Sequence, residues 1–287
     1  MKNLALSLTL FPYLFLAQLI DNREGNAFTE TPFFNPTFIQ ASKIKCLHAK
    51  KFSKSKNDII RLTADELIYH FDTLGNLIQI ENISKNENLT KKSTVYFKYD
   101  MNRKLTETTK EDGVNLFVTG LRYDSIGRII KKTINRQSIP TTATQHTAAL
   151  EEVKYCELEN GFLKKFFDEN ANEFKEQIII EQADGRIIEM EKWKMSTEVV
   201  KKEYCFLYNE LVSIAEFQND HVQASEENCF SYTTNGELTA KDLLKNGVFI
   251  TEWQIIYDQQ TKLLSALIIQ DKKTAAMEIF KFKAIYF

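Results

Sequence analysis

The only imidazoles and thiols in the chain are His48, His70, His146 and His221, with Cys46, Cys156, Cys205 and Cys229. Metal sites announce themselves by short spacings such as HExxH, HxxxH or CxxC, which set two ligands on one helical face or one turn. No such spacing occurs here, so neither a metal nor a cofactor is expected. Carboxylates are plentiful, as in Glu151-Glu152 and Glu226-Glu227. Adjacent acids on a strand point to opposite faces, so neither pair is a ready acid/base couple. The GxSxG, GxGxxG and phosphate-loop patterns are missing as well, which removes the commonest hydrolase and nucleotide signals. No catalytic residue is therefore predicted, and the chain is read as a non-enzyme.

Three residues are weak candidates for binding. Trp193 and Trp253 are the only tryptophans, and Trp253 lies four residues before Tyr257, on the same face of one strand. Such a pair can stack on a sugar ring or serve as core, and burial is the commoner use of large aromatics in sheets. His146 lies in Arg136 to Leu150, a polar Thr-rich stretch with Pro140 that reads as a long exposed loop; a binding loop is the alternative. With 37 Lys+Arg against 39 Asp+Glu, a net charge of -2 excludes the basic profile of a nucleic-acid partner.

The elements that must position these residues begin after a leader. Met1-Lys2-Asn3 gives a positive start, Leu4 to Ala17 is almost wholly apolar, and polar residues return from Gln18: the layout of a signal peptide over residues 1–17. The apolar run is too short to span a bilayer, and no later segment reaches transmembrane length. A secreted or periplasmic location follows as the expectation. Residues 18–42, with Pro32, Pro36 and Phe33-Phe34, read as an irregular lead-in segment that packs on the first strands. Export would permit disulfides. Yet Cys205 and Cys229 each stand three residues before a repeat tyrosine, which sets them two strands and nearly 10 Å apart, beyond disulfide reach. Both are read as small buried residues.

Residues 43–287 are organised by an internal repeat. Its clearest copies are Tyr69 to Ile78 and Tyr123-Asp124-Ser125-Ile126-Gly127-Arg128-Ile129-Ile130. Taking Phe71, Tyr99, Tyr123, Tyr155, Ile180, Tyr208, Tyr232 and Tyr257 as anchors, the spacings are 28, 24, 32, 25, 28, 24 and 25. Each copy reads as a β-hairpin. An aromatic residue ends one strand, Asp or Asn bonds backbone amides at the turn, Gly supplies a positive φ, and a branched pair starts the return. Glycines 75, 127, 161, 185 and 236 occupy the turn slot.

The motif Tyr-Asp-x-x-Gly-Arg-Ile at Tyr123 to Ile129 resembles the YD repeat of Rhs-type and teneurin-type shells and of many secreted bacterial proteins. The resemblance covers roughly residues 69–270. It implies a long antiparallel meander with a surface or secreted role, and it carries no catalytic residues to transfer.

The predicted fold is all-β, a meander of repeated hairpins with about sixteen strands, two per copy. One layer leaves two faces in solvent, so the sheet must curl, close or fold back. A rolled sheet is the first expectation and a folded-back sandwich the second. The predicted function is a non-enzymatic binding module or scaffold for a polysaccharide or a cell-surface protein. A polysaccharide-active enzyme with acids assembled by the fold is the alternative.

Overall fold

The computed structural model describes residues 18–86, 89–111, 113–138, 146–219 and 221–287; the predicted leader lies outside them. One short helix, α1 (Pro36–Ala41), precedes the strands. The first half of the sheet is β1 (Ile44–Lys54), β2 (Arg61–Phe71), β3 (Leu77–Asn86), β4 (Leu89–Tyr99), β5 (Leu105–Glu111), β6 (Asn115–Tyr123), β7 (Ile129–Ser138), β8 (His146–Leu158) and β9 (Gly161–Phe167). The second half is β10 (Glu173–Glu181), β11 (Ile187–Trp193), β12 (Val199–Leu207), β13 (Glu210–Gln218), β14 (Glu226–Tyr232), β15 (Leu238–Lys245), β16 (Val248–Tyr257), β17 (Leu264–Asp271) and β18 (Met277–Tyr286).

Each strand pairs antiparallel with its sequence neighbours, and β1 pairs with both β2 and β18. The sheet is thus a closed barrel of 18 strands, neither the rolled nor the folded-back sheet that sequence suggested. Closure follows from backbone chemistry. An open sheet would leave the amides of β1 and β18 exposed along their whole length, whereas Ile44↔Tyr286 through Lys54↔Met277 pairs them. The stretch 136–150 is also corrected. Arg136↔His146 and Asn135↔Thr147 pair, so 136–138 and 146–150 extend β7 and β8 instead of forming a loop, while Pro140 and the Thr-rich residues of 139–145 lie outside the described residues.

The repeat is visible as eight hairpin turns at one end of the barrel, the end where β1 starts and β18 finishes. At the Asp72, Asp100 and Asp124 turns the carboxylate accepts from two backbone amides, two and four residues on, while the backbone of residues i and i+4 closes the loop. The slot before closure lies at positive φ whether Gly fills it, as at Gly75 (85°), Gly127 (92°), Gly185 (83°) and Gly236 (83°), or not, as at Arg103 (62°) and Lys262 (59°). Three assignments change. Gly161 opens β9 opposite Leu158, after the two-residue turn Glu159-Asn160. Tyr208 is a turn residue at φ 51°, and Phe206, opposite Leu211, takes its anchor place. Glu181, opposite Ile187, takes that of Ile180.

The anchor tyrosines bind each hairpin to the one before it. The hydroxyls of Tyr99, Tyr123, Tyr155, Tyr232 and Tyr257 donate to the carbonyls of Leu77, Leu105, Ile129, Leu211 and Leu238 at 2.6–2.9 Å. Every acceptor lies at the start of the preceding copy's return strand. This function of the anchor tyrosine explains why a phenol stands where a phenylalanine would bury as much area.

A barrel of this many strands encloses more space than its wall side chains fill. The lead-in segment occupies part of it. Leu19, Ile20, Ala27, Phe33, Phe34 and Ile39 are at most 5% exposed and share one core with Tyr69, Phe71, Leu211 and Leu238 of the wall. The segment is closed on itself by Asp21 N–H to Phe33 O and Asn35 N–H to Leu19 O, then turned into α1 by Asn35, whose side chain accepts from Thr37 and Phe38 amides. It does pack on the first strands, through Phe34 against Tyr69 and Phe71, and it reaches across to Tyr232 on β14. There the Asn22 amide donates to the Tyr232 hydroxyl at 3.0 Å, and burial pushes that phenol up to about 12. Tyr232→Phe should cost roughly 1–3 kcal/mol, because the Leu211 carbonyl and Asn22 amide both lose their partner. Equilibrium denaturation of the variant checks this; an unchanged midpoint would mean that neither bond stabilises the fold.

The outer face carries rungs of opposite charge along the strands. Lys92–Glu81, Lys98–Glu107 and Lys131–Glu152 lie at 2.7–3.2 Å, and the carboxylates of Glu173 and Glu176 are shared by Lys165 and Lys194. The Lys194 ammonium, with Lys165, holds Glu173 at about 2, well below an ordinary glutamate. A depressed folded-state value stabilises above the unfolded one and is lost as pH falls, here between about pH 4.5 and pH 2. Glu173→Gln should therefore flatten the fall of Tm across that window relative to wild type. Parallel curves would show that Glu173 is not linked to folding.

Cys205, Ser213 and Cys229 form one row across β12, β13 and β14, so the two cysteines are two strands apart as their spacing suggested. All four cysteines are free. Cys205 and Cys229 are half-buried rather than buried, because this row lies on the outer face of the barrel.

Candidate functional site

The lead-in segment packs against the wall from β13 round through β18 to β4, and leaves a cavity of about 920 Å³ facing β5 to β10. Strand alternation builds its wall. In β9 the run Phe162-Leu163-Lys164-Lys165-Phe166 sends Phe162, Lys164 and Phe166 inward, and the facing residues Tyr155, Val153, Lys175 and Gln177 line the same space. Tyr155 and Phe162 lie 5.8 Å apart at 52°. Across the cavity stand Phe34 and Pro32 of the lead-in segment.

The charges around this space are unevenly partnered. Arg128 is committed to Asp124 and Glu157, both at 2.8 Å, and its guanidinium lies 4.3 Å above the Tyr155 ring. Lys175 pairs with Glu191 at 3.3 Å, with its ammonium over Phe166 and Trp193. Glu189 accepts from Gln177 at 2.7 Å and from the Tyr204 hydroxyl. Among the described residues the Lys164 ammonium has only the Phe162 ring as a close partner, 5.5 Å away, and burial lowers its pKa despite the attraction of Glu189. Lys132 and Glu151 are neighbours across β7 and β8, and both line the cavity. Glu152 faces outward to Lys131, so the two adjacent acids do separate onto opposite faces.

Trp193 sits beside the cavity through Lys175, whereas Trp253 is five strands away on β16, packed with Tyr257 against the core and capped by the Lys241 ammonium at 5.2 Å. The two tryptophans form no joint platform. His146 opens β8, and its side chain lies outside the described residues. Among the described residues no three metal-ligating side chains converge. Sequence reading missed Lys132, Lys164 and Lys175, and set Glu151 aside as one of two adjacent acids. The alternation of Lys164 with Phe162 and Phe166 on β9 was legible, but which face turned inward was not.

No family model and no curated protein matches this chain. Among solved structures, a porin-like protein from Bacteroides uniformis is similar at a TM-score of 0.41 and 9% identity, over 84% of this chain and 98% of that one. TcdB2-TccC3 without its hypervariable C-terminal region gives a TM-score of 0.18 and 9% identity, over 74% of this chain and 14% of that one. Neither value establishes a shared fold. No described helix is long and apolar enough to cross a membrane, which says nothing of a barrel.

Proposed function

We propose that this chain is a non-enzymatic, exported binding barrel of the YD-repeat type, acting in the periplasm or outside the cell. Its ligand is a segment of a polymer or of a cell-surface protein, held inside the barrel. The observation that supports this most is the cavity of about 920 Å³ walled by Tyr155, Phe162, Phe166 and inward lysines, which falls in the size range of ligand sites.

The outer charges support an aqueous setting. A barrel in lipid needs an outward apolar band about 25 Å tall, and a lysine at its middle costs about 2–4 kcal/mol. Here Glu81, Lys92, Glu152, Lys165 and Glu176 stand within the strands on that face. Purified without detergent, the protein should stay in the aqueous fraction when mixed with lipid vesicles and spun through a density gradient. Flotation with the vesicles would make it a membrane barrel.

A second reading has one observation in its favour: Glu24 and Glu151 both line the cavity. A panel of polysaccharides should therefore be assayed for retardation in affinity gels and for new reducing ends. Retardation without new ends supports binding. New ends that vanish in Glu24→Gln and Glu151→Gln would replace it with a polysaccharide-active enzyme.

A further inference from the structure

We infer that the barrel cavity takes an acidic ligand with an apolar ring body, the anion seated on Lys164 and Lys132 and the body against Tyr155, Phe162 and Phe166. This rests on the reading of the barrel as a binding protein and adds the chemistry of what it binds.

The charge asymmetry carries the inference. Burying an ammonium costs free energy unless an anion answers it. Lys175 and Arg128, at the same cavity, each have a carboxylate within 3.3 Å. Lys164 is half-buried and has no carboxylate at ion-pair distance among the described residues, and its one nearby acid, Glu189, already accepts from Gln177 and Tyr204. The burial that lowers the Lys164 pKa is the cost that a ligand anion would offset. Lys132 stands on the same wall; Glu151 is its cross-strand neighbour, but among the described residues no carboxylate lies within ion-pair distance of its ammonium. The body of the ligand is set by the neighbours. Phe162 and Phe166 flank Lys164 on β9, and the Tyr155 ring is held by its hydroxyl bond to Ile129 and covered by Arg128 on one side. Rigid ring faces around a cation suit a ring that carries an acid, as in a uronate sugar or an arylsulfonate.

Titration calorimetry with four probes tests this: tetragalacturonate and its methyl ester, and anilinonaphthalene sulfonate and neutral phenylnaphthylamine. Each pair differs in charge at nearly constant shape, and the two acids separate a glycan source from an aryl one. At least one acid should bind about tenfold or more tightly than its neutral partner, with affinity falling as salt is raised. Lys164→Met and Lys164→Gln, joined with Lys132→Gln, should remove that advantage, while Lys50→Gln on the outer strand face should not. Both Lys164 variants should fold, since they remove a buried charge; Tm confirms it. Equal affinity for acids and neutral partners overturns the acidic-ligand inference and leaves a binding barrel standing. Failure of all four probes to bind, or an unchanged preference in the double variant, also overturns it.

Discussion

Gly75→Ala is expected to lower the unfolding free energy by about 2–5 kcal/mol, roughly twice the effect of Gly185→Ala. Both glycines sit at the same turn position, with φ of 85° and 83°. Backbone strain for an L side chain in that region, about 1–2 kcal/mol, is therefore common to both. They differ in what a Cβ would meet. At Gly185 there is open space, whereas at Gly75 the new carbon would lie 2.0 Å from the Pro36 carbonyl oxygen and 2.9 Å from the Gln40 amide. Those atoms are the backbone of α1, so the lead-in helix or the turn must move, adding about 1–3 kcal/mol of overpacking. Gly127→Val should fall between them at roughly 1–3 kcal/mol, because its contact is the mobile end of Lys104. Denaturant titration of the three variants measures the order. Equal losses at 75 and 185 would mean that α1 does not rest on the β2–β3 turn.

Phe33→Ala should have the larger effect, about 3–5 kcal/mol. The ring is 1% exposed, stacks on Phe34 at 4.4 Å, and meets Tyr69 edge-on at 5.7 Å and Phe28 at 5.2 Å. Its loss empties the centre of the contact between the lead-in segment and the wall. Two measurements distinguish this outcome from general instability. The global midpoint should fall, and residues 18–42 should become the first site of proteolysis while the hairpins stay protected. A loss below about 1 kcal/mol would mean that the segment decorates the barrel rather than filling it.

Much of the architecture was written locally. The Asp that accepts backbone amides and the residue held at positive φ specify each turn by chemistry within five residues. That is why the turns at Asp72, Asp124 and Gly236 could be placed as hairpin tips from the sequence, and why strands between them followed from alternation. The same locality explains the slips. Tyr208 looked like an anchor because a tyrosine preceded Asn209, but the register of β12 on β13 puts Phe206 opposite Leu211. The turns at Asp168 and Asp271 went unseen because Ala171 and Ala275 hold the positive φ there in place of glycine.

Closure, the contents of the barrel and the candidate site were decided only in three dimensions. Pairing of β1 with β18 joins residues at opposite ends of the chain, and no local pattern encodes a contact of that separation. Alternation in Phe162-Leu163-Lys164-Lys165-Phe166 says that two sets of side chains face apart, but not which set faces the lumen. Only ring closure and the place of Phe33 and Phe34 against Tyr69 and Phe71 turn one set inward and leave Lys164 beside a cavity. A hairpin is specified by the few residues that close it, whereas a lumen is specified by every strand at once.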